Sequence, residues 1–512
     1  MPRNGVRAIG ILLLLPAVAL GLWQLVLPSW QTVRFSVYSV PGFARGPSRF
    51  LGLESYLGPW DDWTVAVTAL IGVAAFALVG LVGGLLGVLT ARAQGTTRVA
   101  VRAALGVMMI LFAPVGVGLA LRTDLRGGPD AQLLFWIMSV ALLPIGSALT
   151  AVVVAAALRP GGTTAPRAVV RTVVVMFGLG LVTALALALQ MLAFPAVVIG
   201  NGADTLGQAI YRYGFQFLDV ARAAAISTVM LAVLAVLGVI VTVALLMLRL
   251  RVDLIPADPA AAPDRRGSWA LAVALLTLVV FLVAAHEWVF GLAAPVPEDL
   301  SATDVRAVVR NTWLPPAFTT AVQVLAGVMA GFAIGALRPF GASSEALLLL
   351  FAPGLFVGLT PLLTAKYLSA AAAVRFSEVS LVPPMLLSVP AVFVFTFVFA
   401  GLRRAWVRDG SARVPVLLTG LSTVLLVTVV SWVAQAQSVT WNLVVAANSS
   451  RVAGPLLLGR LRAGDPLAPL PQQLATPVSL LILLAALAAF ATVGLDQLVL
   501  RSGPLRNGLS RD

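Results

Sequence analysis

The sequence has no cysteine, one histidine, one lysine and few charged residues of any kind. Without cysteine the chain forms no disulfide and offers no thiolate ligand or cysteine nucleophile, and His286 alone cannot form a histidine metal cluster. Charged residues make up 11% of the 512 positions, against about 25% in soluble domains. The sequence therefore predicts no catalytic residues, no metal site and no cofactor, and it excludes water as the main solvent.

The shortage of lysine also bears on the use of ATP. A phosphate-binding P-loop needs a glycine-rich turn followed by Lys and Ser or Thr. The only lysine, Lys366, lies in the stretch TPLLTAKYLSA, which has no glycine run before it. The chain therefore lacks this route to ATP hydrolysis, and an ATP-driven process would need a separate ATPase subunit.

Apolar residues, by contrast, are abundant. They form 60% of the chain, and the mean hydropathy is +1.01. A membrane-crossing helix needs about 20 apolar residues, and twelve stretches meet that need: 8–27, 64–91, 103–121, 132–158, 172–196, 222–248, 268–290, 317–337, 346–365, 381–402, 415–436 and 474–499. We predict an all-α, multi-pass membrane protein of about twelve transmembrane helices, whose first span is an uncleaved anchor.

The net charge of +14 indicates how such a protein is oriented in the membrane. In a soluble domain it would suggest nucleic acid, but in a membrane protein arginines mark the cytoplasmic loops. With the N-terminus inside, more than half of the basic residues fall in internal loops, most of which are short. The pattern predicts both termini inside, contact with the lipid bilayer and no nucleic-acid partner.

The chain divides into two halves. The polar, proline-rich stretch 253–267 (DLIPADPAAAPDRRG) reads as a cytoplasmic linker between a first half of six spans, 1–252, and a second half of six spans, 268–512. Basic loops at 92–102 and 159–171 recur in the second half at 338–344 and 403–414. Because both halves begin inside, they form a parallel repeat.

Motifs in the first half indicate a family. Residues 50–56 read FLGLESY, and residues 200–206 read GNGADTL. They are followed by IYRYGF at 210–215 and DVARAAAIS at 219–227. In order and spacing these segments resemble the first permease subunit of maltose-type, binding-protein-dependent carbohydrate ABC importers.

The second half is similar to the partner permease subunit of the same family. Residues 331–341 read GFAIGALRPFG, and TWNLVV at 440–445 is followed by GPL at 454–456. The resemblance thus covers most of the chain as a fusion of two normally separate subunits. It implies import of a carbohydrate or related neutral solute across a bacterial cell membrane, with ABC ATPase subunits on the cytoplasmic side and an extracytoplasmic solute-binding protein.

The resemblance also implies two coupling loops that dock on the ATPase. Their places are 403–414 and 159–171, and the family pattern E-A-A-x-x-D-G is partly kept in the first of these. Arg404 stands at the glutamate position there, and the loop at 159–171 contains no acidic residue. The candidate coupling residues are Arg404, Ala405, Arg408, Asp409 and Gly410 in the second half and Arg159, Gly161 and Arg167 in the first.

Polar residues within the spans are scarce, so each is a candidate for solute binding. The amides are Gln190, Gln323, Gln435, Asn442 and Gln497. Amides hydrogen-bond sugar hydroxyls, and Trp432 or Trp441 offers a face for stacking, so we predict a substrate pathway lined by Gln190, Gln435, Trp441 and Asn442. The alternative role for each amide is an interhelical hydrogen bond, worth about 0.6 kcal/mol. Asp496 lies within reach of Arg501, which predicts a structural ion pair.

Two other functions remain open on the sequence. Twelve spans in parallel halves also describe major-facilitator transporters, but the stretch 87–95 (GVLTARAQG) lacks the acidic residue of their loop motif, and no span carries a central carboxylate. A descendant of the permease family that has lost its coupling loops would instead be a non-transporting membrane scaffold. Neighbouring genes for an ATPase and a binding protein would favour transport.

Overall fold

The computed structural model describes residues 3–39, 48–58, 62–114, 116–118, 131–159, 166–192, 205–255, 265–296, 298, 300–370, 378–408, 413–446, 451–463 and 471–502. Within these ranges the chain is mostly helical. The helices of the first half are α1 (Arg3–Gly21), α2 (Leu27–Val37), α3 (Asp62–Arg92), α4 (Gly95–Ile110), α5 (Ala131–Leu158), α6 (Pro166–Leu189), α7 (Leu206–Tyr211) and α8 (Val220–Met247).

The second half continues in the same manner. Its helices are α9 (Arg265–Ala284), α10 (His286–Ala293), α11 (Ala302–Gly331), α12 (Leu363–Ser369), α13 (Val389–Arg408), α14 (Arg413–Ala436), α15 (Asn442–Val445), α16 (Ala453–Ala463) and α17 (Val478–Gly494). Short π-helical turns at Leu22–Val26 and Phe332–Leu337 extend α1 and α11. The described residues also include four short strands: β1 (Tyr38–Ser39), β2 (Arg49–Phe50), β3 (Arg251–Leu254) and β4 (Leu498–Arg501).

Among the described residues, seven helices are long and apolar enough to cross a bilayer. They are Gly5–Val37, Thr64–Arg92, Val170–Leu189, Val220–Met247, Ala302–Leu337, Val389–Arg408 and Arg413–Ala436. An eighth candidate, Trp269–Ala284 with His286–Ala293, is bent by 77°. Large apolar side chains on these helices face outward, as lipid-facing surfaces require. The chain is therefore a multi-pass helical membrane protein, and this part of the sequence-based prediction is confirmed.

Besides the bent span over 268–290, three predicted spans differ from a long continuous helix. The span over 346–365 is instead a 3₁₀ helix, Gly341–Leu350, followed by the short turns Ala352–Gly354 and Thr360–Leu362. Pro353 and Pro361 cause the breaks because proline cannot donate the helical hydrogen bond. Helix α4 ends at Ile110, and α17 has 17 residues, so the spans predicted over 103–121 and 474–499 are shorter in the structure.

A two-stranded ribbon marks one end of the molecule, which we call the ribbon end. Strands β3 and β4 pair antiparallel, with Val252 opposite Leu500 and Leu254 opposite Leu498. The ribbon packs on α13 through β3 and on α5 and α6 through β4. The first two residues of the predicted linker, Asp253 and Leu254, thus belong to a strand that joins the two halves of the chain.

Helices from the two predicted halves also pack against each other. Helix α1 lies against α11 and its π turn, and α4 lies against α17. Close approach depends on small residues. A Cβ atom at Gly106 would lie 2.5 Å from the backbone oxygen of Ala488, so only glycine fits between α4 and α17.

Candidate functional site

A cavity of about 700 Å³ lies between two groups of helices. One group is α6 with its neighbours α3 and α5, and the other is α11, α13 and α14. Helix α8 contributes Leu245, Leu250 follows it, and the irregular segments 355–360, 383–390 and 438–442 complete the lining. The ribbon connects the two groups at one end, because β4 contacts α6 and β3 contacts α13. The cavity thus opens between elements that share few direct contacts.

The lining of this cavity carries no ionisable side chain among the described residues. Toward the ribbon end it is apolar, with Leu245, Leu250 and Phe397. At the opposite end, where α6 and α14 finish, amide and hydroxyl side chains collect. A cavity without charges favours an uncharged ligand, because an ion would leave water without a counter-charge. The polar end supplies the groups that orient such a ligand.

Gln190 lies at this polar end, and its hydrogen bonds hold the broken segment of the chain. Its amide nitrogen donates to the carbonyls of Ala186 and Phe356, each at 2.8 Å. Its amide oxygen accepts from the Gly358 backbone N–H, and its backbone oxygen accepts from the Thr360 hydroxyl. The side chain therefore satisfies backbone groups of the irregular segment at Phe356 and Gly358, and its donor and acceptor groups are already engaged.

Gln323 and Trp441 also line the cavity, and both are bonded to backbone carbonyls. Gln323 donates its amide N–H to Met385, and the Trp441 indole donates to Ser380. Trp441 is buried and packs in a cluster with Leu363 and Tyr367. These two side chains shape the wall, and the indole N–H of Trp441 has no capacity left for a ligand.

Gln435 and Asn442 are different, because their side-chain amides make no hydrogen bond to any described residue. Gln435 lies in the last turn of α14, and Asn442 begins α15. Ser431 and Ser438 line the same part of the cavity and likewise have unpaired hydroxyls within the described chain. These four side chains form what we call the polar cluster, which offers donors and acceptors to a ligand.

Two other residues from the sequence-based selection lie elsewhere. Trp432 donates its indole N–H to the Trp313 carbonyl at 2.9 Å and packs edge-on against the Trp313 ring at 5.8 Å. Gln497 lines a separate pocket near Asp496. Of the five amides singled out, four therefore line one cavity, and of the two tryptophans only Trp441 does.

The candidate coupling residues of the second half lie at the ribbon end. Arg404 donates to the Asp253 carboxylate at 3.2 Å and to the Val252 carbonyl at 3.0 Å. Arg408 donates to the Leu254 carbonyl at 3.2 Å. Ala405, also on α13, is buried against Val252 and Leu254 of the ribbon. Asp409 and Gly410 lie outside the described residues. Both arginines thus bind the β3 strand of the same chain.

In the first half, Arg159 is buried and donates to the backbone oxygen of Asp496. Burial lowers the pKa of its guanidinium, and the nearby charge of Arg98 lowers it further. Arg167 falls in the first turn of α6, and Gly161 lies outside the described residues. Arg159 and Arg404 are therefore both in contact with chain segments that neighbour the ribbon.

The Arg404–Asp253 pair predicts a measurable coupling. The two side chains are about one quarter exposed, so their attraction is worth about 0.5–1 kcal/mol. We expect Arg404→Gln and Asp253→Asn each to lower the thermal unfolding temperature in detergent, and the double variant to lose less than the sum. Additive losses in this cycle would contradict a direct pair. Arg403→Gln, at an exposed neighbouring position, is the matched control and should leave the temperature unchanged.

Sequence reasoning missed one group of residues. The partners found for Asp496 are Arg98 and Arg102, with Nε–Oδ1 distances of 2.6 and 2.8 Å, and not the predicted Arg501, which lies in β4. Arg98 lies 398 positions before Asp496 in the chain, and Arg102 lies on the same helix. The one available signal was the i, i+4 spacing of Arg98 and Arg102, which places both on one face of α4.

No protein-family model, no curated protein and no solved structure gave a significant match to this chain.

Proposed function

We propose that this protein is the transmembrane permease of a transport system for an uncharged, hydroxylated solute such as a carbohydrate. The observation that carries the proposal is the 700 Å³ cavity. Among the described residues its lining has no ionisable group, and its polar end holds the amides of Gln435 and Asn442, which bond to no other described residue. Amides donate and accept at once, as alternating sugar hydroxyls require. The apolar remainder of the lining suits the faces of a pyranose ring.

In the fuller form of this proposal, the permease is the membrane component of a binding-protein-dependent ABC importer in a bacterial cell membrane. Separate ATPase subunits bind at the ribbon end, and an extracytoplasmic binding protein delivers the solute to the opposite end. The motif resemblance supports this form, as does the absence of a P-loop in the chain. Alternation of the two helix groups around the cavity would move the solute across the bilayer.

The first experiment is a binding screen on the purified full chain in detergent. Neutral sugars and polyols are compared with charged solutes, for example amino acids and sugar phosphates, by the shift of thermal unfolding temperature and by calorimetry. We expect neutral hydroxylated compounds to bind and charged ones not to bind. A charged solute that binds at least as tightly as every neutral one would overturn the assignment of the cavity.

Variants of the polar cluster locate the binding. We expect Gln435→Leu and Asn442→Leu each to weaken binding about threefold to tenfold, because each removes hydrogen bonds worth about 0.5–1.5 kcal/mol to the solute. Leu421→Ala, on an outward face of α14, is the matched control and should bind as the unmodified chain does. Wild-type affinity in the Gln435→Leu, Asn442→Leu double variant would show that the solute binds elsewhere.

The ATPase partner has a separate test. The charge-swapped double variant Arg404→Asp, Asp253→Arg keeps an ion pair between α13 and the ribbon and reverses the charge at position 404. If Arg404 docks on an ATPase, this variant is stable but no longer recovers the ATPase after mild detergent extraction, while the unmodified chain does. If the unmodified chain binds solute but recovers no ATPase, the permease assignment is retained and ATP-driven transport is excluded.

A further inference from the structure

Three arginines converge on Asp496 at the ribbon end, two on its carboxylate and one on its backbone oxygen. Arg98 and Arg102, one turn apart on α4, both approach Oδ1 of Asp496. Arg98 also donates to the backbone oxygen of Asp496 at 3.4 Å, and Arg159 donates to the same oxygen. Asp496 stands just beyond the end of α17. We call these four residues the arginine cluster.

The arginine cluster carries an excess of positive charge. Three guanidinium groups and one carboxylate make up its side-chain charges, which leaves two positive charges uncompensated among these residues. Arg102 is the most enclosed, with only 3% of its surface exposed. Its Nη1 atom has no hydrogen-bond partner among the described residues. Burial lowers the pKa of Arg102 to about 10, against the opposing effect of Asp496, so the group stays charged at neutral pH.

An unpaired donor on a buried charged group destabilises the fold unless a ligand satisfies it. The space for such a ligand is present. A pocket of about 210 Å³ adjoins the cluster and is lined by Arg98, Arg102, Leu418, Val493, Asp496 and Gln497. It thus combines an uncompensated positive charge with open volume and apolar walls.

We propose that this pocket binds a phosphate group, held by Arg98 and Arg102. A phosphate oxygen accepts strong, charge-assisted hydrogen bonds from guanidinium groups, and its negative charge balances the excess in the cluster. The same chemistry is offered by the headgroup of an anionic phospholipid and by a free phosphate ion. Basic pockets between membrane helices are known lipid-headgroup sites. This inference does not depend on the proposed transport function.

The experiment uses the full chain, stripped of lipid in detergent, and follows its thermal unfolding temperature. Three additions are compared: phosphatidylglycerol, inorganic phosphate, and diacylglycerol as a lipid without phosphate, with ionic strength held constant by chloride. Stabilisation by phosphatidylglycerol alone identifies a lipid headgroup, and stabilisation by inorganic phosphate identifies a free anion. No stabilisation by either beyond that of diacylglycerol or chloride would overturn the proposal.

Variants assign the effect to the pocket. We expect Arg98→Gln to raise the midpoint concentration of the stabilising compound about tenfold, because a charge-assisted hydrogen bond is lost. Arg98 is 19% exposed, so this variant tests the site even if Arg102→Gln does not fold. Asp496→Asn is expected to lower the midpoint, because the competing carboxylate charge is gone.

Arg171→Gln is the matched control, since it removes one positive charge from an exposed position on α6. Its midpoint should equal that of the unmodified chain. An equal shift in Arg171→Gln and Arg98→Gln would show a general effect of net charge, and an unchanged midpoint in Arg98→Gln would show that the phosphate binds elsewhere. Either result contradicts the proposed site.

Discussion

The Ala434→Trp substitution is expected to abolish solute transport while leaving the helical fold intact. Ala434 lines the cavity from α14 and directly precedes Gln435 in the polar cluster. The bulk of an indole at this position fills the space that the solute needs beside the unpaired amides. Because the cavity is open here, the new side chain enters free volume and does not overpack the helix contacts. The measurement is uptake, in proteoliposomes or cells, of the solute that the binding screen identifies.

The same substitution on the outward face of α14 is the control. Leu421 is 61% exposed, so Leu421→Trp adds the same ring where lipid surrounds the helix, and transport should continue at the unmodified rate. Thermal unfolding of both variants separates loss of function from loss of fold. Transport by Ala434→Trp at the rate of Leu421→Trp would show that the solute passes outside this cavity.

The residue types in the cavity could be selected from the sequence because polar residues are rare inside apolar spans. Gln190, Gln323, Gln435 and Asn442 stand out for that reason, and all four line the cavity. The sequence does not show which of these amides are already hydrogen-bonded within the fold. Gln190 is occupied by the carbonyl of Phe356 and the N–H of Gly358, which are more than 160 positions away. Only the fold separates an amide that supports the chain from one that is open to a ligand.

The membrane character of the chain was predictable for a different reason. A helix that crosses a bilayer needs a long apolar stretch, and such stretches are visible directly in the sequence. The ribbon was not predictable. Strands β3 and β4 have only four residues each, and almost the whole second half of the sequence separates them. A proline-rich stretch such as 253–267 reads as a linker locally, and nothing local reveals that its first residues meet the end of the chain. The break in the helix predicted over 346–365 was indicated by Pro353 and Pro361. A mean hydropathy does not take into account that proline interrupts a helix.

The second large effect is expected at the contact between the ribbon and α13. A Cβ atom at Gly401 would lie 2.1 Å from the backbone oxygen of Val252, and a strand backbone held by its partner strand cannot easily withdraw. We expect Gly401→Ala to destabilise the protein by about 1–3 kcal/mol, as overpacking does. The ribbon should also separate from α13, because Arg404 and Arg408 bind β3 carbonyls only at this close approach.

Thermal unfolding measures the destabilisation, and cysteine labelling measures the separation, because the natural chain has no cysteine to interfere. Leu254 in β3 is 4% exposed and packs with Leu402 and Ala405 of α13, so a Leu254→Cys reporter should resist maleimide in the unmodified background and react after Gly401→Ala. Gly178→Ala is the matched control, since no atom lies within 4 Å of its added Cβ and alanine favours a helix. If Gly401→Ala is as stable as Gly178→Ala and Leu254→Cys stays protected, the ribbon does not pack on α13 as described.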